Sequence, residues 1–361
     1  MTSYSYKPDW YQASKRWDAF WSMDAIDRPC MSIFAPKLTG EEIQLPELKS
    51  IEDKWMNPEY QLALVLRHLE GNCLCGDAVP CSRNLMAGTT TGCGEFLHFH
   101  EGGISIRPSM KTITEPLNWH PGLLDTWRFK VDAIYNRLLD KAPEHFIVST
   151  PGQYPHLDLL SMLRGNEEIM LDLIMNPEQV KARLHEMRKL ATENEEHFCK
   201  LIEKRQGNVG YVSWTGIWSR QIFFCAQADA AASISPAMFE EFVLPELDIQ
   251  GERYGQLHYH TCGYKQHLEL CLSRSYIRVI QYSPNPKEPT NGPAHMEFYR
   301  RVQETGRCLD IDVAPEHVEF VVRHLRPEGL HISTSVNSVT KAEELLEKAV
   351  KWCGKDIHHS T

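Results

Sequence analysis

The sequence predicts an α/β chain folded as a (β/α)8 barrel of the TIM type, with an irregular N-terminal extension. Three observations carry that expectation. The C-terminal part alternates strand and helix four times at short spacing, which calls for parallel strands joined by right-handed crossovers. No Gly-x-Gly-x-x-Gly follows those strands, so an open dinucleotide-binding sheet lacks its usual signature. The alternation also extends upstream and the composition never changes regime, so the 361 residues read as one large barrel. The expected organisation is a single domain over 1–361, with 1–120 as its irregular N-terminal part.

Each element has its own signal. Trp10–Met23 carries helical spacing and leads to an apolar stretch, Pro29–Phe34; a second helical pattern covers Pro58–Leu69. The Gly-, Cys- and Thr-rich segment Gly71–Pro108 promises short strands at best. Leu123–Leu139 is helical in pattern, and Phe146–Thr150 reads as a short buried strand. Asn166–Glu203 is strongly helical but interrupted at Asn176-Pro177, where proline suits the first turn of a new helix. Asn208–Trp214 is a strand candidate, and Ser235 is placed to N-cap a helix running to Glu252. The four regular units pair Gln256–His260 with Lys265–Ser273, Ile277–Tyr282 with Ala294–Thr305, Leu309–Val313 with Pro315–Leu325, and Leu330–Thr334 with Lys341–Trp352.

Composition narrows the function classes. A net charge of −10 and pI near 5.9 disfavour nucleic acid and anionic membrane surfaces as partners. No apolar run is long enough for a membrane-spanning helix. Eleven cysteines without a signal-like N-terminus point to a reducing, cytoplasmic setting.

In a barrel the reacting groups sit where strands end and βα loops begin. Those positions here are Gln153, Trp214, His258, His260, Cys262, Tyr282, Asp310, Asp312 and the Thr334–Asn337 turn. The sharpest is His258-Tyr259-His260-Thr261-Cys262-Gly263. Residues two apart share a face of a strand, so His260 and Cys262 can converge on one ion, and Gly263 can turn the chain beyond them. His258 falls one layer deeper, as an orienting group. Spacing alone also fits a buried histidine and cysteine that never meet a metal. Asp310 and Asp312 point the same way and suit acid/base work or metal ligation. Cys73, Cys75, Cys81 and Cys93 form a looser group that matches no defined ligand spacing.

The chain resembles the uroporphyrinogen decarboxylase-like superfamily, whose members include zinc-dependent methyltransferases that demethylate corrinoid proteins. The resemblance rests on RWDAFWSMDAIDRP (16–29), GDAVP (76–80), LLSMLRGNEEIMLDLIMNP (159–177), SISPAMFEEFVLP (233–245) and HTCG (260–263), and covers most of the chain. It implies zinc on His260 and Cys262, with Asp77 and Asp312 as catalytic groups. Trp214, Tyr282, Gln153 and His258 would line the substrate. The Arg-Gln-Ala-Gly-Arg segment of true uroporphyrinogen decarboxylases is missing, which disfavours that reaction. So is the cysteine that the methyltransferase branch carries after its last strand. The third ligand is left open among Asp312, His331 and a serine, or the zinc is weak or absent.

The implied activity is methyl transfer in anaerobic one-carbon metabolism, to or from a corrinoid protein, with a small methylated substrate or a thiol or folate acceptor. A homodimer is the expected assembly. The alternatives are a metal-free decarboxylase or lyase on the same scaffold, and a non-catalytic corrinoid- or tetrapyrrole-binding protein.

Overall fold

Seven strands form one mainly parallel sheet, and their order places the candidate site. The computed structural model describes residues 4–38, 42–82, 97–115, 121–151 and 157–354. Strands β1 (Cys30–Pro36), β2 (Asn72–Gly76), β7 (Phe224–Gln227), β8 (Leu257–Cys262), β9 (Ile277–Ser283), β10 (Cys308–Asp312) and β11 (Leu330–Ser335) lie in the order β2-β1-β11-β10-β9-β8-β7. All adjacent pairs are parallel except β1 and β2. Two antiparallel pairs stand apart, β3 (Leu97–His100) with β4 (Gly103–Ile106) and β5 (Tyr211–Val212) with β6 (Trp218–Ser219).

The expected closed barrel is modified. Among the described residues no continuous ladder joins β7 back to β2. Single backbone bonds run through the intervening segments instead: Ile147 donates to Pro80 O (2.7 Å), Ser82 to Ile147 O (2.9 Å), and Thr150 to Val212 O (3.0 Å). The strand expected at 146–150 is therefore reduced to an isolated parallel bridge between Cys81 and Ile147. Asn208–Trp214 contributes only the two residues of β5.

The helices follow the sequence closely where caps are explicit. Pro177 opens the helix Pro177–Gln206 at the predicted break. Ser235 Oγ accepts from Met238 N (3.2 Å) and starts Pro236–Phe242, which a second helix, Leu244–Tyr254, continues. Ser338 does the same for Val339–Cys353.

The alternation of each strand sorts side chains between two environments. On β8, Leu257 and Tyr259 face the helices, with Tyr259 edge-on to Phe239. His258, His260 and Cys262 take the opposite, interior face. On β9 the same rule turns Gln281 and Ser283 inward and Tyr282 outward, where its ring packs on Phe298 and His295. No helix among the described residues is long and apolar enough to cross a membrane.

Candidate metal centre

His260 and Cys262 lie on the interior face of β8 at its C-terminal mouth, as their spacing predicts. Gly263 takes a left-handed φ of 72° and turns the chain away directly after Cys262. A third donor joins them from β7. Asp229 follows that strand, and one ligand atom each of Asp229, His260 and Cys262 lie within 4.8 Å of one another.

The ring of His260 is oriented from behind. Its Nδ1 bonds Gln281 Oε1, and Gln281 Nε2 donates to Ser283 Oγ (3.1 Å), which fixes the amide. The Nε2 atom then faces Asp229 Oδ1 at 4.0 Å. Trp214 sets its ring edge-on to the imidazole, with centroids 5.2 Å apart. Asp229 is held by its backbone: Asp158 accepts from the amides of Asp229 (2.9 Å) and Ala230 (2.8 Å).

Charge at the site favours a cation. Burial, then the Asp229 and Asp158 carboxylates, raise the Cys262 thiol. Burial raises Asp229, against the pull of His260. Burial and the Asp229 charge push Asp158 up to about 6, although three hydrogen bonds oppose them. Desolvation lowers His260, leaving a neutral imidazole, the form that binds metal. One imidazole, one thiol and one carboxylate make a donor set that suits zinc, and three protein ligands leave a coordination position for substrate. Ligand atoms on tetrahedral zinc are roughly 3.4–3.6 Å apart, so the group needs only small side-chain movements to close.

The remaining predicted residues go elsewhere. Asp77 is fully buried and bound to Arg28 (Nη1, 2.6 Å) and to the amide of Met31 (2.8 Å). Because β2 runs antiparallel, its C-terminal end lies beside the start of β1, away from the mouth. His258 is sealed below His260, between Cys225 (Nδ1 to Sγ, 3.0 Å) and Asp310 (Nε2 to Oδ2, 3.2 Å). Asp310 also holds His331 Nδ1 (2.7 Å), whose Nε2 meets Ser32 Oγ (3.0 Å), so His331 is engaged away from the Asp229 group. Asp312 sits exposed at the end of β10 and is not in the three-donor group. Tyr282 is buried on the helix side with its hydroxyl on Glu288 (3.2 Å). Gln153 and Cys93 lie outside the described residues. Cys73 and Cys75 approach to 3.4 Å on β2, while Cys81 is buried at its bridge to Ile147.

Asp229 is the residue the sequence reading missed. Its signal was the short run Phe224–Gln227 followed by an acidic residue, but four residues with no clean alternation do not announce a strand.

No protein-family model matches the sequence, and a search of curated proteins finds no relative. The structure is similar to that of a methyltransferase from Methanosarcina mazei, at a TM-score of 0.56 and 13% identity, over 94% of this chain and 98% of that one. At that identity the likeness speaks for a shared fold.

Proposed function

We propose that the chain is a zinc-dependent methyltransferase that moves a methyl group between a corrinoid protein and a small thiol, with Asp229, His260 and Cys262 as the metal ligands. The carrying observation is the meeting of those three donors at the mouth of the sheet. The methyltransferase fold likeness and the His-Thr-Cys-Gly segment support the same reading.

Zinc held there supplies Lewis acidity, which favours the anionic form of a thiol at neutral pH. The chain's own residues do the rest. His260 offers Nε2 because Gln281 occupies Nδ1. Cys262 would ligate as its thiolate, a form that a bound cation would favour against burial and two neighbouring carboxylates, which keep the proton on the sulfur. Asp158 keeps Asp229 facing the pair through two backbone amides. Trp214 covers the imidazole and forms an apolar wall against which a methyl group can rest.

Zinc quantification on purified protein tests the ligand set. Wild type should carry about one equivalent, and Cys262→Ser, His260→Ala and Asp229→Ala should each lose most of it. Incubation of the zinc-loaded protein with methylcobalamin and a panel of thiols tests the chemistry. A methyl thioether formed by wild type and not by Cys262→Ser is expected. Metal-free wild type, or equal turnover by the variant, overturns the proposal.

A further inference from the structure

Of the cysteines grouped loosely in the sequence, two meet in the fold. Cys73 and Cys75 stand two apart on β2 and share one of its faces, and the Cys75 thiol donates to Cys73 Sγ at 3.4 Å. Both are free thiols, Cys73 half-buried and Cys75 buried. β2 is an edge of the seven-stranded sheet, and in the sheet order four strands separate it from β8 and the candidate metal centre. Among the described residues no further histidine, cysteine or carboxylate joins the two sulfurs in a three-donor group. The donor set there is two sulfurs.

Spacing decides what such a pair can hold. A disulfide needs β-carbons about 3.5–4.5 Å apart. Residues two apart on a strand are separated by roughly 6.6 Å with their side chains parallel, so direct closure would buckle β2. One atom set between the sulfurs removes that difficulty. With bonds of about 2.3 Å to each sulfur, the straight arrangement that copper(I) prefers puts them about 4.6 Å apart, and a tetrahedral one about 3.8 Å. The observed 3.4 Å corresponds to a bond angle of about 95°. Angles close to a right angle belong to a pyramidal trivalent centre, of which arsenic(III) is the thiophilic case.

We propose that Cys73 and Cys75 are a binding site for a monosubstituted arsenic(III) compound, R–As=O, held through both sulfurs. Two As–S bonds form as both bonds from arsenic to its oxygen and both S–H bonds break. The oxygen leaves with the two protons as water, and arsenic stays trivalent, so no oxidant or reductant takes part. The step starts from neutral thiols, and Cys75 is held in that form: burial, then the Cys73 sulfur beside it, push it up to about 12. A metal cation would instead require thiolates. Half-buried Cys73 takes the first bond, which makes the second, at Cys75, intramolecular. Nothing in this site depends on zinc or on the methyl-transfer reading.

Phenylarsine oxide tests this. The reduced, full-length, zinc-loaded protein is incubated with one equivalent and challenged with excess monothiol, and the intact protein and its peptides are weighed by mass spectrometry. One phenylarsenic group should be retained, on the peptide carrying Cys73 and Cys75, and a small dithiol should remove it. Apparent affinity should exceed that of Cys73→Ser by at least about 100-fold, the lower side of what an intramolecular second bond supplies. Cys75→Ser should lose the group equally; if that buried substitution unfolds the chain, Cys73→Ser and the peptide map carry the test. Cys262→Ser should bind like wild type while losing its zinc, so the two proposed sites fail separately. Loss of the group to monothiol in wild type, equal retention by Cys73→Ser, or a group mapped to other cysteines overturns the proposal.

Discussion

Gln281 holds His260 from the neighbouring strand, its Oε1 on the ring Nδ1, so that Nε2 alone is turned toward Asp229. The contact follows from sheet register, which sets the two residues side by side on β8 and β9. A metal-ligating imidazole commonly depends on such a partner for its tautomer and orientation. Gln281→Leu should therefore weaken zinc binding by about 10- to 100-fold in chelator competition, with the ligands themselves untouched. Unchanged affinity would mean that the amide is packing and not support.

Asp77 belongs to a different structure. Its carboxylate is fully buried against Arg28 and the Met31 amide, while the Trp17 indole donates to its carbonyl (2.8 Å). Removing one partner of a buried pair leaves the other charge unsatisfied, at a cost of roughly 3–5 kcal/mol. Asp77→Ala should lower unfolding free energy in urea by that order and leave the zinc stoichiometry of the folded fraction intact. A variant as stable as wild type but inactive would return Asp77 to the catalytic role that the family resemblance implied.

These two aspartates also mark what the sequence could convey. The regular units from β8 onward were legible because hydrophobic runs, caps and turn residues agree there. The helix break at Asn176-Pro177 and the cap at Ser235 were equally plain. The pair His260 and Cys262 was readable because strand period alone puts them on one face. Asp77, put forward by the family resemblance alone, is carried away from the mouth by β2, and nothing in Asn72–Gly76 reveals that the strand runs antiparallel. Tyr282 was assigned to the pocket by its place at a strand end, but inward-facing Gln281 and Ser283 force it outward. Asp229 depends on β7, whose identity is settled by pairing with β8 and not by its own four residues.

The acid limb of stability should report on Asp310. Burial alone would raise this carboxyl, but bonds from His258 and His331 outweigh it and bring it from 3.8 down to about 2. A depressed folded pKa contributes stability that is present above pH 4 and is lost as pH falls toward 2. The shift corresponds to about 2 kcal/mol. Urea denaturation between pH 5 and 2.5 should therefore show a steeper loss for wild type than for Asp310→Asn, which is less stable at pH 5 and flatter below it. Parallel curves would mean that the carboxylate is not held ionised by its two imidazoles.

Gly263 is where the backbone turns beside the proposed metal ligand Cys262. Its φ of 72° lies in the left-handed region, and a Cβ there would run into the Asn285 side chain, whose Nδ2 donates to Gly263 O (3.1 Å). Alanine would meet both penalties, the backbone strain costing on the order of 1–3 kcal/mol. The chain can relieve them only by moving the turn that directly follows Cys262. Gly263→Ala should therefore lower the melting temperature and also reduce zinc affinity, whereas Gly255→Ala, at a left-handed position with open space around it, should lower the melting temperature alone. If both variants bind zinc like wild type, the turn does not set the position of the Cys262 sulfur, and the precision of the site must come from β8 and β9 alone.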